Sequence, residues 1–257
     1  MNIIVILKRT FDTEEKITLS NGQINEDGAE FIINPYDEYG IEEAIQIRDK
    51  VGGEVTVVTV GSEESEKELR TALAMGADKA VLINIEEEVS DGDQFTTARL
   101  LAEFLQDKNP DLLFSGNVAI DGGSGQVGPR VADLLGIPFV STITKLDING
   151  QKVTVVRDVE GDSEVIETTL PLLVTCQQGL NEPRYPSLPG IMKAKRKPLD
   201  EILLDDLDLE IDDVKAKTKT IEIFLPPKKE AGVVLEGELA DQVKELVSLL
   251  HTEAKFL

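Results

Sequence analysis

The residues of this sequence best suited to chemistry lie in one glycine-rich stretch, Gly116-Asn117-Val118-Ala119-Ile120-Asp121-Gly122-Gly123-Ser124-Gly125-Gln126. It follows an apolar run read as a strand and opens an apolar helical pattern. Gly122, Gly123 and Gly125 permit positive φ and close backbone approach. Free amides at the start of the helix then form an anion site suited to phosphate, with the Ser124 hydroxyl beside them. The spacing is neither that of a Walker A loop nor that of a GxGxxG turn. On spacing alone, a phosphate cradle and a plain tight turn stand as alternatives. Asp121 would repel a bare phosphate; its carboxylate suits a ribose hydroxyl or a brace for the loop. A second group, Asn34-Pro35-Tyr36-Asp37, precedes the first amphipathic helix. Asp37 reads as the N-cap of that helix. Asn34 and Tyr36 lie where an amide and an aromatic ring can hold a purine or flavin edge.

Other chemistries lack their residues. The single histidine, His251, falls near the C-terminal end of a helical pattern, a position that favours a cation. There is no CxxC or HExxH spacing for a metal. There is no GxSxG or Cys/His arrangement that supplies a nucleophile with its base. The residues point to holding a cofactor, with no catalytic side chains and no metal. A free-standing ATP-binding or adenylylating enzyme would need a phosphate-handling lysine or metal-binding acids beside the glycine loop, and only Asp121 stands there in the sequence.

Strand and helix alternate four times before these groups are all in place. Residues 2–7, 54–60, 80–85 and 111–115 are short apolar or β-branched runs. Residues 37–51, 62–75, 94–106 and 126–135 carry apolar residues at helical spacing. This order predicts βαβ units and an α/β fold with a mostly parallel, doubly wound sheet. Ligands on such sheets bind beyond the carboxyl ends of the strands, which here carry Lys8-Arg9, Gly61-Ser62 and the glycine loop. Residues 139–148, 152–159 and 164–176 read as strands of hairpins that continue the sheet. Residues 199–213 hold eight acids and no base and read as an exposed, loosely ordered arm. Residues 218–225 read as one more strand. Residues 238–252 form an amphipathic helix whose stripe (Leu239, Val243, Leu246, Val247, Leu250) is expected to pack on the protein's own core, with a partner as the alternative.

The 257 residues carry a net charge of -23 and are 41% hydrophobic. That allows a sizeable core and argues against nucleic acid or an anionic membrane surface as partner. One cysteine, Cys176, fits a reducing compartment. The N-terminal apolar run is too short for a signal peptide or a membrane span, so a cytoplasmic protein is expected.

Residues 181–197, NEPRYPSLPGIMKAKRK, stand apart. Four of the eleven prolines fall between Pro183 and Pro198, and five cations (Arg184, Lys193, Lys195, Arg196, Lys197) face one acid, Glu182. Proline removes amide donors, so the segment reads as a stiff loop that presents Leu188, Ile191 and Met192 to solvent. Such a loop loses little entropy on docking. It reads as a surface touched by another protein, with a domain-crossing linker as the alternative.

Over essentially its whole length the sequence resembles the beta subunit of electron transfer flavoprotein (ETF). The motifs are NPYDEYGIEEA (34–44), RTALAMGADKA (70–80), AIDGGSGQVGP (119–129) and the stretch from Val155 to Thr175 that contains Arg157, Glu160, Gly161, Glu164, Ile166 and Pro171. NEPRYPSLPGIMKAKRK completes the set. The resemblance implies an adenine nucleotide alpha hydrolase-like domain over 1–198, with a recognition loop at 176–198. It also implies a C-terminal arm over 199–257 that wraps on the partner. The partner is an ETF alpha subunit that holds the redox-active FAD. The beta pocket holds AMP in non-bifurcating members and a second FAD in bifurcating ones.

Carried over by position, Ile6, Asn34, Pro35, Tyr36, Asp37, Val60 and the loop from Gly116 through Asn117, Val118, Ala119, Ile120, Asp121, Gly122, Gly123, Ser124, Gly125 and Gln126 to Val127 match AMP contacts. Leu188 matches the anchor for acyl-CoA dehydrogenases. Around it, Pro189, Ile191, Met192, Lys193, Lys195 and Arg196 form the docking group. The implied role is an electron carrier, not an enzyme. It takes electrons from acyl-CoA and other flavin dehydrogenases and delivers them to a membrane ETF:quinone oxidoreductase. The sequence Gly122 to Gly125 stands where better-known AMP-binding members have aspartates, and Gln126 to Pro129 also resembles bifurcating members. AMP is the expected ligand and a second FAD the alternative.

Overall fold

The computed structural model describes residues 1–85, 89, 92–229, 231–253 and 255–256. The chain opens with β1 (Asn2–Ile6), β2 (Arg9–Phe11), β3 (Leu19–Ser20), β4 (Gln23–Ile24) and β5 (Phe31–Ile33). Then follow α1 (Pro35–Val51), β6 (Glu54–Val60), α2 (Glu66–Met75), β7 (Lys79–Ile83), α3 (Gln94–Gln106), β8 (Leu112–Gly116) and α4 (Val127–Leu135). The rest is β9 (Phe139–Asn149), β10 (Lys152–Val159), β11 (Asp162–Thr169), β12 (Leu172–Cys176), α5 (Leu188–Ala194), β13 (Leu199–Ile202), α6 (Ile211–Val214) and α7 (Leu239–Thr252).

Nine strands form one sheet in the order β11-β10-β9-β12-β8-β1-β6-β7-β13. All pairings from β9 to β13 are parallel, and the β9-β10-β11 extension is antiparallel. The alternation of side chains along β1 explains the two-sided core. Ile3 and Val5 join Ile41, Ile45, Leu69 and Leu73 of α1 and α2 on one face. Ile4 and Ile6 join Leu101 and Leu105 of α3 and Val131 of α4 on the other. The chain leaves β1 for β6 and β7, then crosses back to β8 on the other side of β1. That reversal opens a crevice at the carboxyl ends of β1, β6 and β8.

Four expectations need correction. Residues 164–176 form two strands, because Pro171 has no amide for a ladder; β12 then enters the sheet centre between β9 and β8. Residues 199–213 are not a loose arm. Leu199–Ile202 pair parallel with β7, and Leu204 and Val214 are buried, so the interspersed leucines outweigh the acids. Residues 218–225 form no strand: Ile221 and Phe224 are exposed, and among the described residues no strand pairs with them. The α7 stripe does not pack on the core. Leu239, Val243, Leu246 and Val247 are exposed, and no residue of α7 is buried.

The root of this C-terminal stretch is fastened. Asp93 caps α3 by accepting from the Phe95 and Thr96 amides, and its other oxygen accepts from the Lys217 and Thr218 amides and the Thr218 hydroxyl. Burial alone would raise its pKa, but these donors outweigh that and hold the carboxyl well below the usual range. No helix among the described residues is long and apolar enough to cross a membrane.

Candidate functional site

A cavity of about 260 Å³ opens at the carboxyl ends of β1, β6 and β8. Its wall includes Ile6 and Val60 from the ends of β1 and β6, and Gly116, which ends β8, with Asn117 to Ala119 after it. Gly122, Ser124, Gly125, Gln126 and Val127 form the side where α4 begins. Asn34 and Asp37 come from the start of α1. Thus thirteen of the expected binding residues line one hollow. Pro35, Tyr36, Ile120, Asp121 and Gly123 do not line it.

The N-terminus of α1 is not capped as expected. Helix α1 begins at Pro35, whose missing amide and fixed φ suit the first helical position. Asn34 therefore occupies the N-cap, though its side chain makes no capping bond. Its amide instead braces the glycine loop: Nδ2 donates to the Val118 carbonyl at 2.9 Å, and Oδ1 accepts from the Ile120 amide at 3.2 Å. Asp37, one turn on, is buried and ties two strand ends together. It accepts from the Lys8 amide at 2.7 Å and the Gly116 amide at 2.8 Å.

Burial pushes the Asp37 carboxyl up from 3.8 to about 7, against the lowering effect of those two amides. A carboxyl with a raised folded pKa stabilises most below its unfolded value. Its contribution is lost as pH climbs from about 3.8 to about 7. Asp37→Asn removes that titration. Relative to wild type, the variant should gain roughly 4 kcal/mol in unfolding free energy between pH 4 and pH 8. Denaturant titrations across that range check it, and a stability difference that stays flat with pH would refute it.

The glycine loop needs positive φ at Gly123 and Gly125. The amides of Ser124, Gly125 and Gln126 donate to no protein acceptor among the described residues. These amides adjoin the first turn of α4, so the loop offers an anion cradle. Nine residues absent from the expected set also line the hollow, among them Lys8, Asp93 and Thr97. Lys8 matters most. It supplies the lysine that the sequence did not place beside the loop, since 113 residues separate it from its partner Asp121. The capping pattern Asp93-x-x-Thr96 was readable, but nothing in it marked a pocket wall. Among the described residues no cluster of His, Cys, Asp or Glu could hold a metal ion.

The expected docking residues gather elsewhere. Leu188, Ile191 and Met192 are exposed on and around the short helix α5. Pro189 lies in its first turn, and the Ser187 hydroxyl caps it by accepting from the Gly190 amide. The segment is clamped from behind. Arg184 pairs with buried Glu42 at 2.6 Å, and Asn181 donates to the Tyr39 carbonyl and to Glu43. Arg70 of α2 donates to the carbonyl of Ala194, the last residue of α5, and to that of Lys197 just beyond it. Lys197 points inward to the carbonyls of Leu73 and Ala77. Arg184 and Lys197 are therefore structural, which leaves Lys193, Lys195 and Arg196 as the outward charges.

A family model described as "Electron transfer flavoprotein domain" matches residues 21–207. Over all 257 residues the chain is 66% identical to the electron transfer flavoprotein subunit beta of Bacillus subtilis (strain 168), covering 100% of both. The electron transfer flavoprotein subunit beta of Syntrophomonas wolfei is 43% identical over 239 residues, 93% of this chain and 91% of its own. A protein of Anaerotignum propionicum named acryloyl-CoA reductase electron transfer subunit gamma is 37% identical over 262 aligned residues, 97% of this chain and 98% of its own.

Proposed function

The chain belongs to the electron transfer flavoprotein beta-subunit family, and from that premise we propose that it binds AMP in the crevice at β1, β6 and β8 while forming a heterodimer with a flavin-bearing alpha subunit. The observation that carries the nucleotide is the cavity itself. It joins a glycine loop with free amides to the Asn34 amide, at a topological switch point. Its volume of about 260 Å³ falls just below the usual range of ligand pockets, roughly 300 Å³ and upward, which favours a mononucleotide over a larger dinucleotide. The chain contributes no acid/base or covalent step. It binds, orients and excludes water, while the alpha subunit's FAD supplies the redox chemistry.

The exposed trio Leu188, Ile191 and Met192 serves as the docking surface for acyl-CoA and other flavin dehydrogenases. Lys193, Lys195 and Arg196 steer acidic partners toward it. Electrons then pass to a membrane ETF:quinone oxidoreductase. The uncovered stripe of α7 supports a contact with the alpha subunit.

A second FAD in place of AMP is the alternative reading. It is favoured by the open space around Gly122 and Gly123, where an added Cβ meets nothing within 4 Å. Denaturing purified heterodimer and separating the released nucleotides distinguishes the two. One FAD with one AMP is expected. Two FAD would select the alternative, and a heterodimer that releases no adenine nucleotide beyond one FAD would refute both.

A further inference from the structure

Lys8 emerges just past the end of β1, and its two polar ends do different work. Its backbone amide donates to Asp37, which fixes the root of the side chain in the cavity wall. Its ammonium reaches Asp121 and lies 2.7 Å from both carboxylate oxygens. One of those oxygens also accepts from the amide of Gly122. The Asp121 carboxylate thus occupies a cation and a loop amide at once, the same donors that a phosphate monoester takes. Both side chains remain partly exposed, at 50% and 27%. An ion pair in that setting holds weakly and exchanges readily. The loop amides of Ser124, Gly125 and Gln126 stand next along the chain, without protein acceptors among the described residues. Gly122 and Gly123 follow Asp121 directly, and an added Cβ at either would meet nothing within 4 Å, so this side of the loop is open.

We propose that Lys8 is the cation that meets the nucleotide's phosphate, and that Asp121 is a resident anion which holds Lys8 until that phosphate displaces it. The inference rests on the nucleotide reading above. It adds a specificity device: the pair sets how strongly the pocket prefers a nucleoside 5′-phosphate over the bare nucleoside. A dianionic phosphate outcompetes the monoanionic carboxylate for Lys8, whereas a nucleoside leaves the pair closed. Asp121 lowers affinity for the phosphate by competing for its counter-charge, and it keeps Lys8 aimed at the pocket in the empty state.

Calorimetric titration of the intact heterodimer, stripped of bound nucleotide, tests this with AMP and adenosine as probes. Lys8→Met should weaken AMP about tenfold or more and leave adenosine within about twofold of wild type. Asp121→Asn should act in the opposite sense, tightening AMP about threefold to tenfold with adenosine again unmoved. Lys8→Arg should retain most of the AMP affinity, because the charge is kept. Equal losses for AMP and adenosine in Lys8→Met, or weaker AMP binding in Asp121→Asn, would overturn the proposal while the nucleotide reading stands. So would a wild-type protein that binds both probes equally. A wild-type protein that binds neither would remove the nucleotide reading, and this proposal with it.

Discussion

Leu188→Ala is expected to raise the KM for dehydrogenase-linked reduction about 30-fold, the equivalent of roughly 2 kcal/mol lost from an interface hot spot. The heterodimer's flavin content and thermal stability should not move. The separation of these readouts follows from the mount. Leu188 is 76% exposed at the first position of α5, so its side chain bears little on folding. Removing an exposed side chain typically changes stability by no more than about 0.5 kcal/mol. What holds the segment lies behind it: the Arg184–Glu42 pair, Arg70 on the α5 carbonyls, and Gly190 packed against α2, where an added Cβ would press on the Ala74 carbonyl. A side chain on such a rigid base loses little entropy on docking, so nearly all of its burial appears as affinity. An unchanged KM in a folded, flavin-loaded variant would place the anchor elsewhere.

How far the sequence could be read depended on whether the deciding interaction was local. The four βα repeats and the glycine loop before α4 follow from periodicity and turn chemistry within a few residues. The structure bears them out. Motif matches located most of the cavity wall, because family motifs record residues that meet only in the fold. Local signals failed where distant partners decide. Asp37 had the chemistry of a cap, yet Pro35 starts the helix two residues earlier and frees Asp37 to join β1 to β8. The acids of 199–213 suggested disorder, but their leucines found an open sheet edge beside β7. The stripe of α7 had the period of a core helix, and whether a core faces it depends on tertiary placement, which period does not encode. Lys8 was visible as a strand-end residue, while its pairing with Asp121 required the crossover that brings β8 beside β1.

The same crossover makes Gly116→Ala the second severe substitution. Gly116 ends β8 in ordinary backbone territory, so the demand for glycine there is one of space and not of φ. A methyl group at Gly116 would press on the Asp37 carboxylate, and it would lie only 2.8 Å from the Asn34 side-chain nitrogen and 2.9 Å from the Tyr36 Cβ. None of these neighbours can retreat cheaply. Asp37 is buried and holds the amides of Lys8 and Gly116 itself, and Asn34 holds the loop at Val118 and Ile120. Moving either leaves buried backbone groups without partners, at about 1–3 kcal/mol each. Gly116→Ala should therefore lower stability by roughly 3 kcal/mol, with a fall in Tm of about 6–12 °C for a chain of this size. Retained AMP should drop in parallel, because the same atoms shape the cavity. Gly122→Ala is the control. Its added Cβ meets nothing, so stability should stay within about 0.5 kcal/mol of wild type. Thermal melts of the two variants decide the matter: equal Tm values for Gly116→Ala and wild type would mean that the α1 terminus yields where this packing says it cannot.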